Sequence, residues 1–308
     1  MCKIQHIRVD LMHVGIIGLG KMGFSMAQNL LDKGQHVTGF DISSEARKLA
    51  QESGVPVAEN LEALVKAQPD WVVLSLPKAE HVEEVCLGPA SLRSLGLQAN
   101  AVIDMSTSVP EASRRVASGL QDINVAFADA PVSGGPSGAR EGTMISLVGC
   151  AEDTYRDLTP LLDIMTSRHM WLGDVGSGNV AKLCNNLLVG LNLIAVSEAV
   201  NIATSEGLRP EALIQALNLG SGRSAVSEIN FPRWILDQSY DSGFTAGLMR
   251  KDLQLVEELV GQGVADHPLS KLALSIWHES QNDLPDQRDF NEIVRTTAGS
   301  PFSEIEPN

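Results

Sequence analysis

The sequence predicts an α/β fold in two parts: an N-terminal domain with a doubly wound, mainly parallel sheet, and an all-α C-terminal domain. Short apolar runs alternate with helical stretches from residue 14 to about residue 175, which indicates strands joined by crossover helices. No strand pattern follows residue 176, where the sequence is typical of helices. A chain of 308 residues, 44% of them hydrophobic, is long enough for two such domains.

The predicted segments are residues 1–13 (an N-terminal extension), 14–175 (the α/β domain), 176–298 (the helical domain) and 299–308 (a loose tail). Strands are predicted at Val14–Gly18, His36–Asp41, Trp71–Leu76, Ala101–Met105, Asn124–Ala128, Met144–Val148 and Met170–Leu172. Helices of the first domain are predicted at Phe24–Lys33, Ser44–Ser53, Leu61–Lys66, Glu80–Cys86, Pro110–Gln121 and Glu152–Met165. Helices of the second are predicted at Asn179–Glu206, Pro210–Leu219, Ala246–Gln262, Pro268–Glu279 and Arg288–Thr297. This alternation in the first domain predicts a sheet covered by helices on both faces.

The first predicted strand runs into the sequence Gly18-Leu19-Gly20-Lys21-Met22-Gly23. In this G-x-G-x-x-G pattern, Gly18 permits a tight turn, Gly20 lets the backbone approach a pyrophosphate, and Gly23 lets the helix lie close to the strand. The helix that follows presents free N–H groups and the positive end of its dipole to the phosphates. We therefore predict a Rossmann-type dinucleotide-binding domain with these six residues at the cofactor.

Asp41 ends the second predicted strand, about 20 residues beyond the glycines, where a carboxylate can accept hydrogen bonds from ribose hydroxyls. Alternatively, Asp41 is an ordinary solvated residue at a strand end. In the binding role its negative charge would repel the 2′-phosphate of NADP, which favours NAD as the cofactor over NADP. Arg47 lies about one helical turn further on and could soften that preference.

Polar residues also follow other predicted strands, at the edge where such sheets bind ligands. They lie in Ser75-Leu76-Pro77, in Asp104-Met105-Ser106-Thr107 and in the run from Asp129 to Gly135. Each can equally be a capping or turn residue, since Ser, Thr and Asp commonly start helices. Ser133-Gly134-Gly135 favours a binding role more strongly, because a hydroxyl and two bare N–H groups suit a carboxylate.

The longest predicted helix, Asn179–Glu206, is apolar around most of its circumference, which predicts burial on nearly all sides. Lys182 and Asn186 lie four residues apart in it and therefore share one face. A lysine in such surroundings must be paired or functional, unless its side chain reaches the surface. Internal polar residues, Glu198 among them, argue against a membrane span.

The composition argues against several classes of function. A formal net charge of −15 disfavours nucleic acid or an anionic membrane as the main partner. The four cysteines form no C-x-x-C pair and the seven histidines show no metal-ligand spacing, so we predict reduced thiols and no metal site. The first dozen residues lack the apolar centre of a signal peptide, and we therefore expect a cytoplasmic protein.

Four motifs stand in the order found in the β-hydroxyacid dehydrogenases, a family typified by 3-hydroxyisobutyrate dehydrogenase, which the chain resembles over nearly its whole length. The motifs are Gly18–Gly23, Asp129–Gly135, Gly178–Asn186 and Lys251-Asp252-Leu253. The resemblance implies a catalytic lysine at Lys182 and a catalytic, substrate-holding asparagine at Asn186. It also implies substrate contacts at Ser133, Gly134, Gly135 and Lys251, and cofactor contacts at Leu76, Pro77, Thr107 and Lys251. On pattern alone, Lys251 could equally be a surface charge on an amphipathic helix, and Asp252 could pair with Arg250 or Lys251 or cap that helix.

The resemblance implies an NAD-dependent dehydrogenase in which the lysine exchanges the hydroxyl proton while hydride passes between substrate and nicotinamide. The implied substrates are a small hydroxy acid or semialdehyde, such as 3-hydroxyisobutyrate, L-threonate, L-serine or tartronate semialdehyde. Asn185 stands where 6-phosphogluconate dehydrogenases have a histidine, and imine reductases of the superfamily usually lack the lysine. Arg223 could meet a substrate carboxylate or face solvent.

A different class of function is also compatible with the motifs, namely a sensor or scaffold that binds NAD without turnover. Intact Lys182 and Asn186 favour the enzyme. In either case the apolar helical domain predicts a homodimer or homotetramer, since a monomer would expose too much apolar surface.

Overall fold

The computed structural model describes residues 11–261, 266–296 and 300–302. The chain forms two compact units, residues 1–182 and 183–308. Of the predicted N-terminal extension, residues 1–10 lie outside the described residues, and His13 already begins the first strand. The predicted domain boundary after residue 175 lies a few residues before this division and stays a prediction.

Strands alternate with helices in the described part of the first unit. The strands are β1 (His13–Ile17), β2 (His36–Phe40), β3 (Trp71–Leu74), β4 (Ala101–Asp104), β5 (Ala126–Asp129), β6 (Val132–Ser133), β7 (Met144–Gly149) and β8 (Thr166–Gly173). The helices are α1 (Lys21–Asp32), α2 (Ser44–Glu52), α3 (Leu61–Lys66), α4 (Ala79–Leu87), α5 (Pro110–Leu120), α6 (Gly135–Glu141) and α7 (Glu152–Met165). The long helix α8 (Ser177–Ser205) begins in this unit.

The described strands form one sheet, in which β2, β1, β3, β4 and β5 are neighbours in that order and run parallel. β7 pairs antiparallel with β5, and both β6 and β8 pair with β7. Because β2 and β3 flank β1, the chain winds outwards from β1 in two directions. The predicted doubly wound, mainly parallel sheet is therefore confirmed, and ligands of such sheets bind at the carboxyl edge where the winding reverses.

The central strands are buried on both faces. In β3, Trp71 and Val73 belong to one apolar core, and Val72 and Leu74 belong to another. Successive side chains of a strand point to opposite faces, so the two cores lie on opposite sides of the sheet. Helices α1 and α7 pack into the first core and helices α4 and α5 into the second. The strands are therefore continuous apolar runs, as is typical of a covered parallel sheet.

Several elements begin or end at residues other than the predicted ones. β3 ends at Leu74, because the Leu76 amide donates to Ser106 Oγ (2.8 Å) instead of continuing the ladder. α1 begins at Lys21, inside the glycine motif, so that the last three residues of the motif lie in the first helical turn. The sequence does not predict the short β6 and α6, because the glycines in this stretch are typical of loops.

The described part of the second unit is helical, which confirms the all-α prediction. It contains the remainder of α8, α9 (Pro210–Leu219), a π-helical stretch (Val226–Ile235), α10 (Ala246–Val260), α11 (Pro268–Glu279) and α12 (Ile293–Thr296). The π-helical stretch is not predicted, since it contains Pro232, a residue that usually interrupts helices. The predicted helix ends at Gln262 and Thr297 lie outside the described residues.

Aromatic side chains form the centre of the second unit's core, among them Phe231, Trp277, Phe290 and Phe302. Phe302 packs edge-on against Phe231 with ring centroids 6.3 Å apart, and Ser300 Oγ donates to the Val294 carbonyl (2.6 Å). Residues 300–302 are thus packed against the unit, whereas the sequence predicts a loose tail over 299–308. The other residues of that segment lie outside the described part of the chain.

Helix α8 is less buried than the sequence predicts. Among the described helices it is the one whose length and composition would allow it to cross a membrane, with a mean hydropathy of 1.7 in its most apolar window. Within this chain 28% of that window is buried, and Leu188 and Ile202 are 58% and 68% exposed. The prediction of burial on nearly all sides is wrong for the chain alone, because composition shows that a helix face is apolar but not what covers it.

Candidate active site

Two glycines of the turn between β1 and α1 leave no room for a side chain. Gly18 has a φ of +92°, and a Cβ there would overlap the Ser75 carbonyl oxygen just beyond β3. A Cβ on Gly23 would overlap the Gly18 carbonyl oxygen. The start of α1 therefore lies directly against the carboxyl ends of β1 and β3, as the motif predicts.

Gly20 faces open space outside this turn. A Cβ on Gly20 would meet no atom within 4 Å, and no side chain caps α1, whose N-cap residue is Gly20. No side chain at Gly20 therefore covers the first-turn N–H groups and the positive end of the helix dipole. This arrangement fits the pyrophosphate of a dinucleotide, which needs close access to such donors. Of the other motif residues, Lys21 is exposed and Met22 is half-buried.

Asp41 follows β2 and connects it to the glycine turn. Its half-buried carboxylate accepts hydrogen bonds from the Leu19 amide (2.7 Å) and the Ser43 amide (2.8 Å). A carboxylate has about four acceptor sites, so it can also accept from a ribose hydroxyl. Arg47 Nη1 donates to the carbonyl oxygens of Asp41 (2.6 Å) and Ile42 (3.2 Å). The guanidinium is therefore tied to the backbone beside a negative charge, which disfavours a 2′-phosphate at this position.

The loops after β3 and β4 are linked to each other. Ser106 Oγ accepts from the Leu76 amide (2.8 Å), and the Ser106 amide donates to Asp104 Oδ1 (2.9 Å). Three predicted cofactor contacts flank this link: Leu76 and Thr107 are half-buried, and Pro77 is exposed. The sequence does not single out Ser106 itself, because no local pattern indicates a contact with a residue 30 positions away.

Ser133 ends β6, and the two glycines that follow turn the chain. Gly134 and Gly135 have φ values of +130° and +63°, a region that glycine adopts far more readily than other residues. A Cβ on Gly135 would meet no atom within 4 Å. An accessible backbone next to a hydroxyl group is the arrangement expected for a carboxylate site.

Lys182 lies on α8 in the first unit and is 7% exposed. Its Nζ donates to Ser133 Oγ at 2.8 Å, although the two residues are 49 positions apart in the chain. The alternative in which the lysine reaches the surface is therefore wrong. The structure brings together the residue predicted to exchange a proton and the residue predicted to hold the substrate.

Asn186 lies one helical turn beyond Lys182 on α8 and is buried in the second unit. Its Nδ2 donates to Asp252 Oδ2 on α10 (2.6 Å), and its Oδ1 accepts from Asn185 Nδ2 (3.1 Å). An ionised carboxylate only accepts hydrogen bonds, so Asp252 fixes which end of the amide faces it. Because the amide nitrogen has two N–H groups, the second can donate to a ligand oxygen.

Lys251 belongs to the same cluster in the second unit. Its Nζ lies 3.3 Å from Asp252 Oδ1, whereas Arg250 pairs with Asp286 (2.7 Å). Of the partners that the sequence allows for Asp252, the structure selects Lys251, and it adds the unpredicted contact with Asn186. Arg223 is exposed and 3.8 Å from Glu228, as expected for a turn residue that faces solvent.

Comparison with known proteins identifies the family. Residues 13–173 match the NAD binding domain of 6-phosphogluconate dehydrogenase, and residues 176–297 match a family described as the NAD-binding part of NADP-dependent 3-hydroxyisobutyrate dehydrogenase. The chain is 34% identical over 295 residues to 3-hydroxyisobutyrate dehydrogenase of Pseudomonas aeruginosa, with 93% of this chain and 98% of that protein covered. The chain belongs to the β-hydroxyacid dehydrogenase family.

Other members of the β-hydroxyacid dehydrogenase family extend the match. The chain is 32% identical over 282 residues to 2-(hydroxymethyl)glutarate dehydrogenase of Eubacterium barkeri, with 92% of this chain and 93% of that protein covered. A solved structure of Mycobacterium tuberculosis 3-hydroxyisobutyrate dehydrogenase with L-serine has a TM-score of 0.85 and 30% identity, and covers 93% of this chain and 99% of that one.

As a β-hydroxyacid dehydrogenase, the protein is an oxidoreductase that acts on the CH–OH group of a hydroxy acid with NAD as its cofactor. The open backbone at Gly20 and the carboxylate of Asp41 fit that cofactor. Family membership supports the enzymatic interpretation and not the alternative of a sensor or scaffold without turnover.

Alanine substitutions at Gly20 and Gly23 should show that the first glycine serves NAD binding and the second serves the stability of the fold. We expect Gly20→Ala to keep the wild-type thermal midpoint but to lower NAD affinity by about tenfold or more, because its methyl group fills the space needed for close phosphate contact. Gly23→Ala should lower the free energy of unfolding by about 1–3 kcal/mol, because the backbone must shift. Calorimetric titration with NAD and thermal unfolding measure the two effects. Wild-type NAD affinity in Gly20→Ala would contradict this assignment.

Asp41→Asn should weaken the preference for NAD. We expect the KM for NAD to rise by about tenfold, the equivalent of one hydrogen bond to a charged group, and the KM for NADP to fall as the repulsive charge is removed. Steady-state kinetics with both cofactors measure the change. Glu45→Gln, on the exposed first turn of α2, changes the net charge equally and is the control. An unchanged ratio of the two KM values in Asp41→Asn would exclude a role in cofactor choice.

Proposed function

We propose that this dehydrogenase oxidises a small 3-hydroxy acid, with Lys182 as the group that exchanges the hydroxyl proton. The observation that carries the proposal is the hydrogen bond of 2.8 Å from the buried Lys182 Nζ to Ser133 Oγ. It places a titratable amine beside the loop best suited to bind a carboxylate. The general acid–base group and the substrate-anchoring group of a hydroxy acid must lie this close, because the hydroxyl and carboxylate of such a substrate are only a few bonds apart.

In the proposed reaction the substrate hydroxyl gives its proton to the neutral amine of Lys182 as the carbinol carbon loses hydride and becomes a carbonyl. NAD supplies the hydride acceptor when it is bound. Asn186 donates its second amide N–H to the hydroxyl oxygen, while Asp252 holds the first. The Asp252 carboxylate thereby fixes the amide in a donating orientation before the substrate arrives.

The remaining predicted residues bind the ends of the two ligands. Ser133 with the backbone of Gly134 and Gly135 holds the substrate carboxylate, supported by their positive φ values and open backbone. Lys251 contributes a positive charge for substrate and cofactor, supported by its position next to Asp252. Leu76, Pro77 and Thr107 contact the nicotinamide side, supported by their place after β3 and β4, at the carboxyl edge of the sheet.

The names of the relatives narrow the substrate class. 3-Hydroxyisobutyrate, 2-(hydroxymethyl)glutarate and L-serine all have a primary alcohol on the carbon next to the one that bears the carboxyl group. We infer that this chain acts on the same unit, which makes 3-hydroxyisobutyrate and L-serine stronger candidates than L-threonate. Tartronate semialdehyde, the reductive candidate, yields the same unit when its aldehyde is reduced.

Lys182→Ala tests the proposal. We expect kcat to fall by about 10²–10⁴-fold while NAD affinity stays within about twofold, because the lysine acts on the substrate proton and not on the cofactor. The assay follows reduced nicotinamide with 3-hydroxyisobutyrate, L-serine and L-threonate, each with NAD and NADP, and with tartronate semialdehyde in reverse. Lys66→Ala, an exposed lysine paired with Glu62 on α3, is the control and should keep wild-type kcat.

Two results would contradict the proposal. Retention of more than a tenth of the wild-type kcat by Lys182→Ala would remove the lysine from the proton transfer. Equal inactivity of the wild type and the variant across the panel would mean that the substrate lies outside this class or that the protein does not turn over.

We also propose that the protein is cytoplasmic and forms a homodimer or homotetramer. Among the described cysteines, Cys86, Cys150 and Cys184 are free thiols, which fits a reducing compartment. The exposed apolar side chains on α8, Leu188 and Ile202 among them, support an interface with another copy.

Leu188→Gln combined with Ile202→Gln should weaken the oligomer by removing apolar contact area from α8. Size-exclusion chromatography with light scattering should show a multiple of 33.0 kDa for the wild type and a shift towards the monomer for the double variant. Leu219→Gln, equally apolar and 89% exposed at the end of α9, is the control. A wild type that elutes as a 33.0 kDa monomer would exclude the proposed assembly.

A further inference from the structure

A buried carboxylate connects the end of β5 to the first turn of α8. Asp129 has no exposed surface, and its Oδ1 accepts from the Gly176 amide (2.6 Å) while its Oδ2 accepts from the Asn179 amide (2.8 Å). We call these two hydrogen bonds the Asp129 tether. They satisfy backbone N–H groups at a helix start, which has no intrahelical partners for them.

The surroundings of the tether are packed without spare room. A Cβ on Gly149, the last residue of β7, would come within 2.6 Å of Asp129 Oδ1 and within 2.8 Å of two amide nitrogens of α8. A Cβ on Gly178 would lie 2.7 Å from the Asp129 carbonyl oxygen and would overlap that of Leu147. The start of α8 is therefore packed closely against β5 and β7.

The tether joins the end of β5, shortly before Ser133 in the chain, to the helix that carries Lys182. Ser133 follows Asp129 by four residues, and Lys182 follows Asn179 by three. The hydrogen bond from Lys182 Nζ to Ser133 Oγ closes a ring with the tether. A displacement of the first turn of α8 relative to β5 would thus alter the Lys182–Ser133 distance directly.

We propose that Asp129 is a positioning residue for proton transfer: its carboxylate, by accepting from Gly176 and Asn179, holds Lys182 at the substrate loop. This inference rests on the proposed role of Lys182. Asp129 need not touch substrate or cofactor, and it acts through the position of α8.

The tether depends on the charge state of Asp129. The backbone amides of Gly176 and Asn179 are both N–H donors, and the ionised carboxylate accepts a hydrogen bond from each. The protonated acid presents its own O–H donor to one of the two amides, and that hydrogen bond is lost. Burial, with a smaller contribution from the charge of Asp104, raises the pKa of Asp129 to about 7 against the lowering effect of the Gly176 and Asn179 amides. The tether is therefore complete above about pH 7 and weakens below it.

The charged and titratable groups around Asp129 are few. Asp104 on β4 is its register partner in the sheet. Cys150 follows β7, and burial together with the charge of Asp129 raises the pKa of its thiol to about 12, so it stays protonated. Arg114 on α5 lies beside Gly176, and Lys182 lies one turn along α8. Asp104 is thus the group whose charge most directly opposes ionisation of Asp129.

Asp129→Asn mimics the protonated state at nearly constant shape. We expect kcat to fall by about tenfold or more, with KM for NAD within twofold, because the amide can accept from one N–H but presents its own N–H groups to the other. The pH profile of kcat should also lose a group that titrates near pH 7 in the wild type. Asp70→Asn is the matched control: its carboxylate also accepts a backbone N–H, from His13, but at the start of β3.

The raised pKa also gives a readout that is independent of activity. A carboxyl group whose folded pKa lies above its unfolded value stabilises the fold at low pH and loses that contribution as the pH rises through the folded pKa. The thermal midpoint of the wild type should therefore fall relative to that of Asp129→Asn between about pH 4 and pH 7.

A second variant keeps the test decisive if Asp129→Asn does not fold. Asp104→Asn removes the neighbouring negative charge and leaves the tether in place, so the acid limb of kcat should move to lower pH. An Asp129→Asn variant with wild-type kcat and pH profile would overturn the proposal, as would an unfolded Asp129→Asn together with an unshifted limb in Asp104→Asn. If Lys182→Ala is inactive in either case, the proposed function stands and only the tether fails. If Lys182→Ala keeps its activity, the proposed function fails whatever Asp129 does.

Discussion

A buried amine stays in a protein interior only where fixed oxygen atoms accept its hydrogen bonds, and the first unit satisfies this requirement for Lys182. One such acceptor is Ser133 Oγ, 2.8 Å away. To present it, the chain leaves the parallel part of the sheet after β5, pairs Val132 and Ser133 with β7, and turns at two glycines with positive φ. The irregular end of the sheet thus places the Ser133 hydroxyl opposite Lys182.

The same rule organises the rest of the carboxyl edge. Parallel strands end together there, and each leaves backbone N–H groups without ladder partners. Side-chain oxygens take their place: Asp41 accepts from Leu19, and Ser106 accepts from Leu76. Each such bond joins the loops after two neighbouring strands, so the loops that would hold the cofactor are linked to each other although they lie outside regular structure. Gly20 and Gly135 keep open backbone, where the proposed ligands need it.

Local patterns predicted most of the fold, and the family resemblance supplied most of the candidate site residues. The helices Leu61–Lys66 and Pro268–Glu279 have the predicted ends, because their caps, periodicity and N-terminal proline are local signals. The Gly-rich stretch that becomes α6 and the Pro-containing π-helical stretch break those signals and are missed. The sequence does not predict which polar side chains form hydrogen bonds with each other. The pairing of Asn186 with Asp252 spans 66 residues, and no spacing rule applies at that distance.

Stability alone does not explain the two buried carboxylates that hold α8. Replacing a buried ion by an apolar residue of similar size often leaves the stability of a protein unchanged or raises it, because an ion loses its hydration on burial. Yet Asp129 binds the backbone of the first turn of α8 in one unit, and Asp252 binds the side chain of Asn186 in the other. Both act on one helix, whose rise of about 6 Å over four residues sets the spacing of Lys182 and Asn186. In the proposed reaction Lys182 accepts a proton and Asn186 donates a hydrogen bond, and both roles require a fixed spacing and a fixed orientation. Helix geometry supplies the spacing, and the carboxylates, at a cost in desolvation, supply the orientation.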